Sequence, residues 1–242
     1  MRNISVLVIG ISFIIGLFIL GNAYKYRSTA METVVVTGSA EKDFISDLIV
    51  WRGSYSRKSM DLKSAYSQLK EDETTIRTYL TGKGINNSEI VFSSININKE
   101  FNYKTDANGR ALGQEFTGFN LIQNVKIESP NVDKIDQISR EATELIEHGI
   151  EFNSSAPLFY YTKLTEVKMD LLAKASADGK KRAEIIAENA GNSLGKLKKA
   201  NLGVFQITGK NSDEDFSYGG TFNTSSRNKT GSITIRMEFA VK

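Results

Sequence analysis

Residues 33–43 read TVVVTGSAEKD, a β-branched run that meets a glycine. A phosphate or dinucleotide site can begin this way, with the backbone N–H groups of a glycine-rich turn aimed at the anion. That chemistry needs further glycines at fixed spacing, or Gly-Lys followed by Ser or Thr. After Gly38 none occurs until Gly53, and no Gly-Lys-Ser/Thr is present. Gly38 is therefore expected to make a turn or bulge between two strands, with no cofactor bound. The chain has no cysteine, which excludes thiol catalysis, disulfides, zinc ribbons and iron–sulfur clusters together. A histidine-based triad would rest on His148 alone. Its place between Glu147 and Gly149, at the end of an expected helix, instead suits a cation beside the helix dipole. The carboxylate pairs Asp72/Glu73 and Glu141/Glu144 are expected on exposed helix faces. Asp213-Glu214-Asp215 lacks the ligand spacing and glycine of a calcium loop. No catalytic residue, cofactor or metal is expected.

Aromatic side chains are the better candidates. Trp51, Tyr55, Phe159, Tyr160 and Tyr161 lie in strand-like segments, where they suit either a core or a contact surface. Residues 211–230 form a polar loop of the length that is functional or disordered in most domains. Its Phe216, Tyr218 and Phe222 would be unfavourable in solvent, so the loop is expected to pack on a subunit or partner. The candidate contact residues are thus Phe216, Tyr218, Phe222, Trp51 and Tyr160. Nucleic acid is not among the expected partners. The 31 Lys and Arg are interleaved with 28 Asp and Glu, leaving a net charge of only +3 and no basic stripe.

The elements that must position these residues follow from hydrophobic period. Residues 4–20 (ISVLVIGISFIIGLFIL) carry no charge, and with Gly21 they are long enough to cross a bilayer as a helix. Tyr24, Lys25, Tyr26 and Arg27 then suit a membrane interface. Gly21-Asn22-Ala23 also offers a cleavage site, so a signal peptide competes with an uncleaved anchor; the anchor is favoured. Segment 1–30 is accordingly read as the anchor, and 31–242 as the exported body.

In the body, Ile49, Trp51 and Tyr55 alternate as a strand. Leu62, Ala65, Leu69, Ile76 and Leu80 make a helical stripe that Gly82 and Gly84 close. Residues 90–103 and 115–128 read as a hairpin with Asn108-Gly109 at its turn. Asn131 caps a helix running toward Gly149, and 150–162 read as strand. A long helix over about 164–190 presents the small face Leu172, Ala175, Gly179, Ala183, Ile186, Ala187 and Ala190. Residues 200–208 and the alternating end SITIRMEFAVK are strands. Hairpins mixed with helices predict an α+β fold, helices packed on largely antiparallel sheet, in one sheet or two βαββ-like halves.

Several of these segments together resemble the SIMPL-domain family of bacterial periplasmic or membrane-anchored proteins. They are TVVVTGSAEKDFISDLIVW, LTGKGI, LLAKASADGKKRAEIIAENAGNSLGKL and ITIRMEFAVK, with the Val36–Ala40 start, Ser46-Asp47 and the helix end over 183–195. LGVFQIT (202–208) and TSSRNK (224–229) resemble a subgroup that keeps its anchor. The resemblance implies a βαββ-type α+β fold, no family catalytic motif, and a link to envelope and oxidative stress. The expected protein is a non-enzymatic, single-pass inner-membrane protein with its body in the periplasm. It is expected to be a homo-oligomer with a structural or stress-related role. The alternative is a binding module that captures a small ligand or peptide between sheet and helices.

Overall fold

The computed structural model describes residues 2–29, 32–105, 107 and 111–242; in the first helix, side chains are described from 10 to 24. The expected turn Asn108-Gly109 lies outside the described residues. The first helix, α1, spans Arg2–Thr29. Among the described residues no helix is long and apolar enough to cross a membrane. Positions 4–9 of the expected anchor lie outside the described side chains.

The body contains two antiparallel sheets, each with its own helix layer and core. In the first sheet, β1 (Thr33–Ile45) pairs along its whole length with β10 (Asn228–Val241). The far side of β10 carries β8 (Leu194–Leu202) and then β9 (Gln206–Gly209). Helix α4 (Leu164–Asn189) covers one face. Val36, Phe44, Ile233, Ile235, Met237 and Phe239 pack there on Leu171, Ala175 and Ala183 of α4.

In the second sheet, β2 (Leu48–Ser59) lies between β5 (Ala111–Ser129) and two short strands, β6 (Phe152–Ser154) and β7 (Leu158–Tyr160). The strands β3 (Ile90–Phe92) and β4 (Asn96–Thr105) pair with the other side of β5. Helices α2 (Leu62–Gly82) and α3 (Val132–Glu141) cover it, α3 running on into a 3-10 segment, Ala142–His148. Asp61 caps α2 by accepting from the Ser64 N–H at 2.7 Å, and Asn131 caps α3, as expected from its sequence position. Ile49, Trp51, Leu69, Ile76, Leu121 and Ile135 sit at the centre of this core, each essentially without solvent contact.

The fold is α+β with antiparallel sheets, and the structure settles the choice between one sheet and two in favour of two. It corrects the place given to Gly38. The segment TVVVTGSAEKD is one unbroken strand, β1, in which Gly38 faces Ile235 of β10. A Cβ at Gly38 would overlap the Ala175 carbonyl oxygen and the Gly179 backbone. The glycine is therefore there to let α4 lie directly on the strand. The chain changes sheets later, at Ser46-Asp47. Two expected strands are also interrupted, the one over 90–103 at 93–95 and the one over 200–208 at 203–205.

Candidate functional site

The long connection between β9 and β10 is held in a fixed shape by side chains from the strands that it joins. Buried Gln206 opens β9. Its Oε1 accepts from the backbone N–H of Ser217 (3.3 Å) and Thr221 (2.8 Å), and its Nε2 donates to the Ser217 carbonyl (2.8 Å). Ile207 exchanges backbone hydrogen bonds with Thr221 and Asn223, both 2.8 Å, so the returning chain lies beside β9. Glu214 accepts from the Gly209 N–H at 2.9 Å and from Asn223 Nδ2 at 2.5 Å. These two donors hold the Glu214 carboxyl below the usual carboxylate range.

Beneath the loop lies Lys229, 1% exposed. Its Nζ donates to the carbonyls of Asn223 (2.6 Å) and Ser226 (2.7 Å) and reaches Asn223 Oδ1 at 3.3 Å. Burial pushes its pKa down to about 8, with Glu214 pulling the other way. Every buried polar group in this network has a partner, so the loop is ordered by its own hydrogen bonds.

That order presents aromatic side chains to solvent. Phe216, Tyr218 and Phe222 are all exposed, Tyr218 fully so. Between the loop and β10 runs a shallow groove of about 330 Å³, lined by Val204, Gln206, Phe216, Tyr218, Ser232 and Thr234 among others. It carries no charged side chain, and it lies at the break between β8 and β9 rather than between sheet and helices.

The other two candidate contact residues lie elsewhere. Trp51 is corrected outright. It is fully buried in the core of the second sheet, its ring tilted against Phe152 with centroids 5.8 Å apart, and its indole N–H donates to Ser154 Oγ at 3.0 Å. An alternating strand face shows which residues point together, and here α2 and α3 cover that face. Tyr160 is partly buried in β7, where its carbonyl accepts from the Asp47 N–H, so it does not join the loop aromatics.

Among the carboxylates, Asp72 is also corrected. It is buried on α2 and receives Arg57 in a two-pronged bond, Nε–Oδ2 2.5 Å and Nη2–Oδ1 2.8 Å. Arg57 also donates to the Gly149 carbonyl, which joins β2, α2 and the end of the 3-10 segment. Tyr55, whose phenol donates to Gln123 at 2.7 Å, is pushed up in pKa by burial. His148 is exposed at the end of the 3-10 segment. Among the described residues no group of His, Asp or Glu is arranged to hold a metal ion. The Gln206–Glu214–Asn223–Lys229 network has a signal in the sequence. Lys229 shares the parity of Ile233, Ile235, Met237 and Phe239, and so falls on the inward face of β10.

A protein-family profile, described as SIMPL, a protein of unknown function, matches residues 34–239. The chain belongs to the SIMPL-domain family. The ends of the match, Val34 and Phe239, face each other across β1 and β10. The SIMPL unit is thus closed by pairing its first strand with its last and includes both sheets. No match among curated proteins reaches significance.

Proposed function

We propose that this SIMPL protein is a non-enzymatic component of the bacterial cell envelope. Residues 4–21 hold it in the inner membrane as a single-pass anchor, and its body stands in the periplasm, assembled with further copies of itself. The observation that carries the proposal is the uncovered apolar helix. Ile11, Phe13, Ile14, Ile15, Leu17, Phe18, Ile19 and Leu20 are all about half exposed or more, on every side of the helix between 11 and 20. A patch of that extent is unfavourable in water by about 25 cal/mol per Å², and lipid relieves it. The structural or stress-related role rests on the family resemblance. The non-enzymatic part is supported by the use made of the buried titratable groups. Lys229 and Asp72 are committed to a loop and to a helix–strand junction.

Fractionation tests the anchor. The full-length protein is expected to stay in the membrane pellet after alkaline carbonate and to lose its body to protease added to spheroplasts. Removal of residues 1–30 is expected to release the body into the soluble fraction. A full-length chain that carbonate extracts, or a body protected in spheroplasts, would sink the proposal. A chain whose N-terminus begins near Tyr24 would remove the anchor and leave export standing.

The uncharged groove beside Phe216 and Tyr218 favours a second function, capture of a small neutral ligand or peptide. It predicts ligand-induced thermal stabilisation of the body that Tyr218→Ala abolishes.

A further inference from the structure

The first sheet has two outer edges, and they are built differently. β8 carries Lys196, Lys198 and Lys199, and its register against β10 is broken twice. Lysines and irregular pairing are the usual protections of an edge strand against association. β1 pairs with β10 residue by residue without a shift. The Ser39 N–H points away from β10, since it donates to Asp178 Oδ2 on α4 at 2.9 Å. In an antiparallel strand, residues of like parity point their N–H and C=O the same way. The groups of Thr33, Val35 and Thr37 therefore also face outward. α4 meets this strand at Ser39 through Asp178 and at Lys42 through Asp170, 2.7 Å. Before Ser39, the edge opens on a cleft lined by Val35, Val36, Thr37, Arg182, Ile185 and Ile186. Val35, Ile185 and Ile186 are each about half exposed. The stretch Thr33–Thr37 holds no charge and no proline.

The open stretch is also a palindrome, Thr-Val-Val-Val-Thr. Antiparallel pairing of two such strands about Val35 sets Thr33 opposite Thr37, Val34 opposite Val36, and Val35 opposite itself. A two-fold interface brings one patch onto its own copy, and the palindrome makes every facing pair alike, threonine on threonine and valine on valine, both strand-favouring residues. We propose that the β1 edge over Thr33–Thr37 is a dimer interface, at which two copies join their first sheets into one continuous sheet across a two-fold axis at Val35.

This inference rests on the assembly part of the function proposed above and assigns it a surface. Ile185 and Ile186 of the two copies then meet on the α4 side of the joined sheet. The two Thr33 residues lie four strand positions apart, roughly 14 Å at about 3.4 Å per residue. The two chains therefore leave toward their α1 helices, which end at Thr29, from nearby points of the joined sheet, an arrangement compatible with two anchors in one bilayer. Anchoring in a shared membrane adds effective concentration to a contact built from five strand positions, where a stable soluble complex buries roughly 800 Å² per partner.

The absence of cysteine makes site-directed crosslinking the direct test, because an introduced cysteine is the only thiol. In native membranes, full-length Val35→Cys is expected to form a dimer on mild oxidation. Facing Cα atoms at about 5.5 Å are within disulfide range. Thr33→Cys and Thr37→Cys are each expected to stay monomeric alone and to crosslink when expressed together. Lys199→Cys on β8 is expected to stay monomeric. Val35→Lys is expected to abolish the dimer on sizing in detergent while leaving the melting temperature of the body unchanged. Crosslinking through Lys199→Cys without Val35→Cys would overturn the β1 interface and leave assembly standing. Self-crosslinking of Thr37→Cys would overturn the register. A wild-type monomer in detergent, together with no crosslink at any position, would overturn assembly itself.

Discussion

Lys229 keeps its ammonium against three oxygens of its own chain, where a surface lysine would hold it in water. Folded, it titrates near 8; unfolded, at its ordinary 10.5. Between those values the unfolded chain binds more protons, so Lys229 makes the stability of the body rise with pH across that window. Lys42, Lys70 and Lys83, whose ion pairs raise their pKa, act in the opposite sense and only above 10.5. Urea unfolding at pH 7.5, 9 and 10 is expected to show a rising contribution that Lys229→Met lacks; equal slopes in the two proteins would refute it. The parity of β10 makes the inward position of Lys229 legible. Its acceptors are not legible, because they come from a loop whose path the hydrogen bonds of Gln206 decide. Trp51 and Asp72 show the same limit. Strand alternation gives Trp51 its face and the helical period gives Asp72 its own, but the helix or arginine that covers each face comes from elsewhere in the chain.

Helix α4 lies on β1 at the contact of two glycines. A Cβ on Gly38 would meet backbone, the Ala175 carbonyl oxygen and Gly179, neither of which can turn aside. A Cβ on Gly179 would meet chiefly Met237 Cε, the end of a flexible side chain, although Gly38 is close as well. Gly38→Ala is therefore expected to destabilise the body by about 1–3 kcal/mol, as overpacking does, and Gly179→Ala by less. Urea midpoints at unchanged slope measure the difference, and the reverse order would show that the helix, not the side chain, gives way. The small stripe Ala175, Gly179, Ala183 and Ala187 makes the close approach of α4 legible in the sequence. The strand partner is not, since a glycine after a β-branched run reads equally as a turn. The breaks at 93–95 and 203–205 escape notice for a related reason. Neither contains a proline, and apolar residues continue across both, although their parity changes between Phe92 and Ile95 and between Val204 and Phe205.

At the scale of the molecule, two cores that share no strand must unfold together or apart, and a small set of contacts decides which. The chain passes from β1 to β2 through Ser46-Asp47, whose backbone N–H groups donate to the Arg227 and Tyr160 carbonyls, each at 3.0 Å. The Asp47 carboxylate accepts from the Thr162 N–H and hydroxyl, both 2.7 Å, at the point where the chain leaves β7 for α4. Phe159 donates to the Thr224 carbonyl at 2.7 Å, and Arg227 pairs with Asp133 at the start of α3. Asp47 thus ties the two crossings between the sheets to each other, from residues more than a hundred apart in sequence. Hydrogen bonds to a charged acceptor contribute about 1.5–3 kcal/mol each, and less where solvent reaches them, as it does here. Asp47→Ala touches neither core, so its cost falls on the coupling between them. The wild-type body is expected to melt in one calorimetric transition with equal calorimetric and van't Hoff enthalpies. Asp47→Ala is expected to separate it into two, the core around Trp51 and the core around Met237, and Asp47→Asn, which keeps one acceptor, is expected to fall between. A single, uniformly shifted transition in Asp47→Ala would mean that the loop over 221–227, through Thr224 and Arg227, carries the coupling instead.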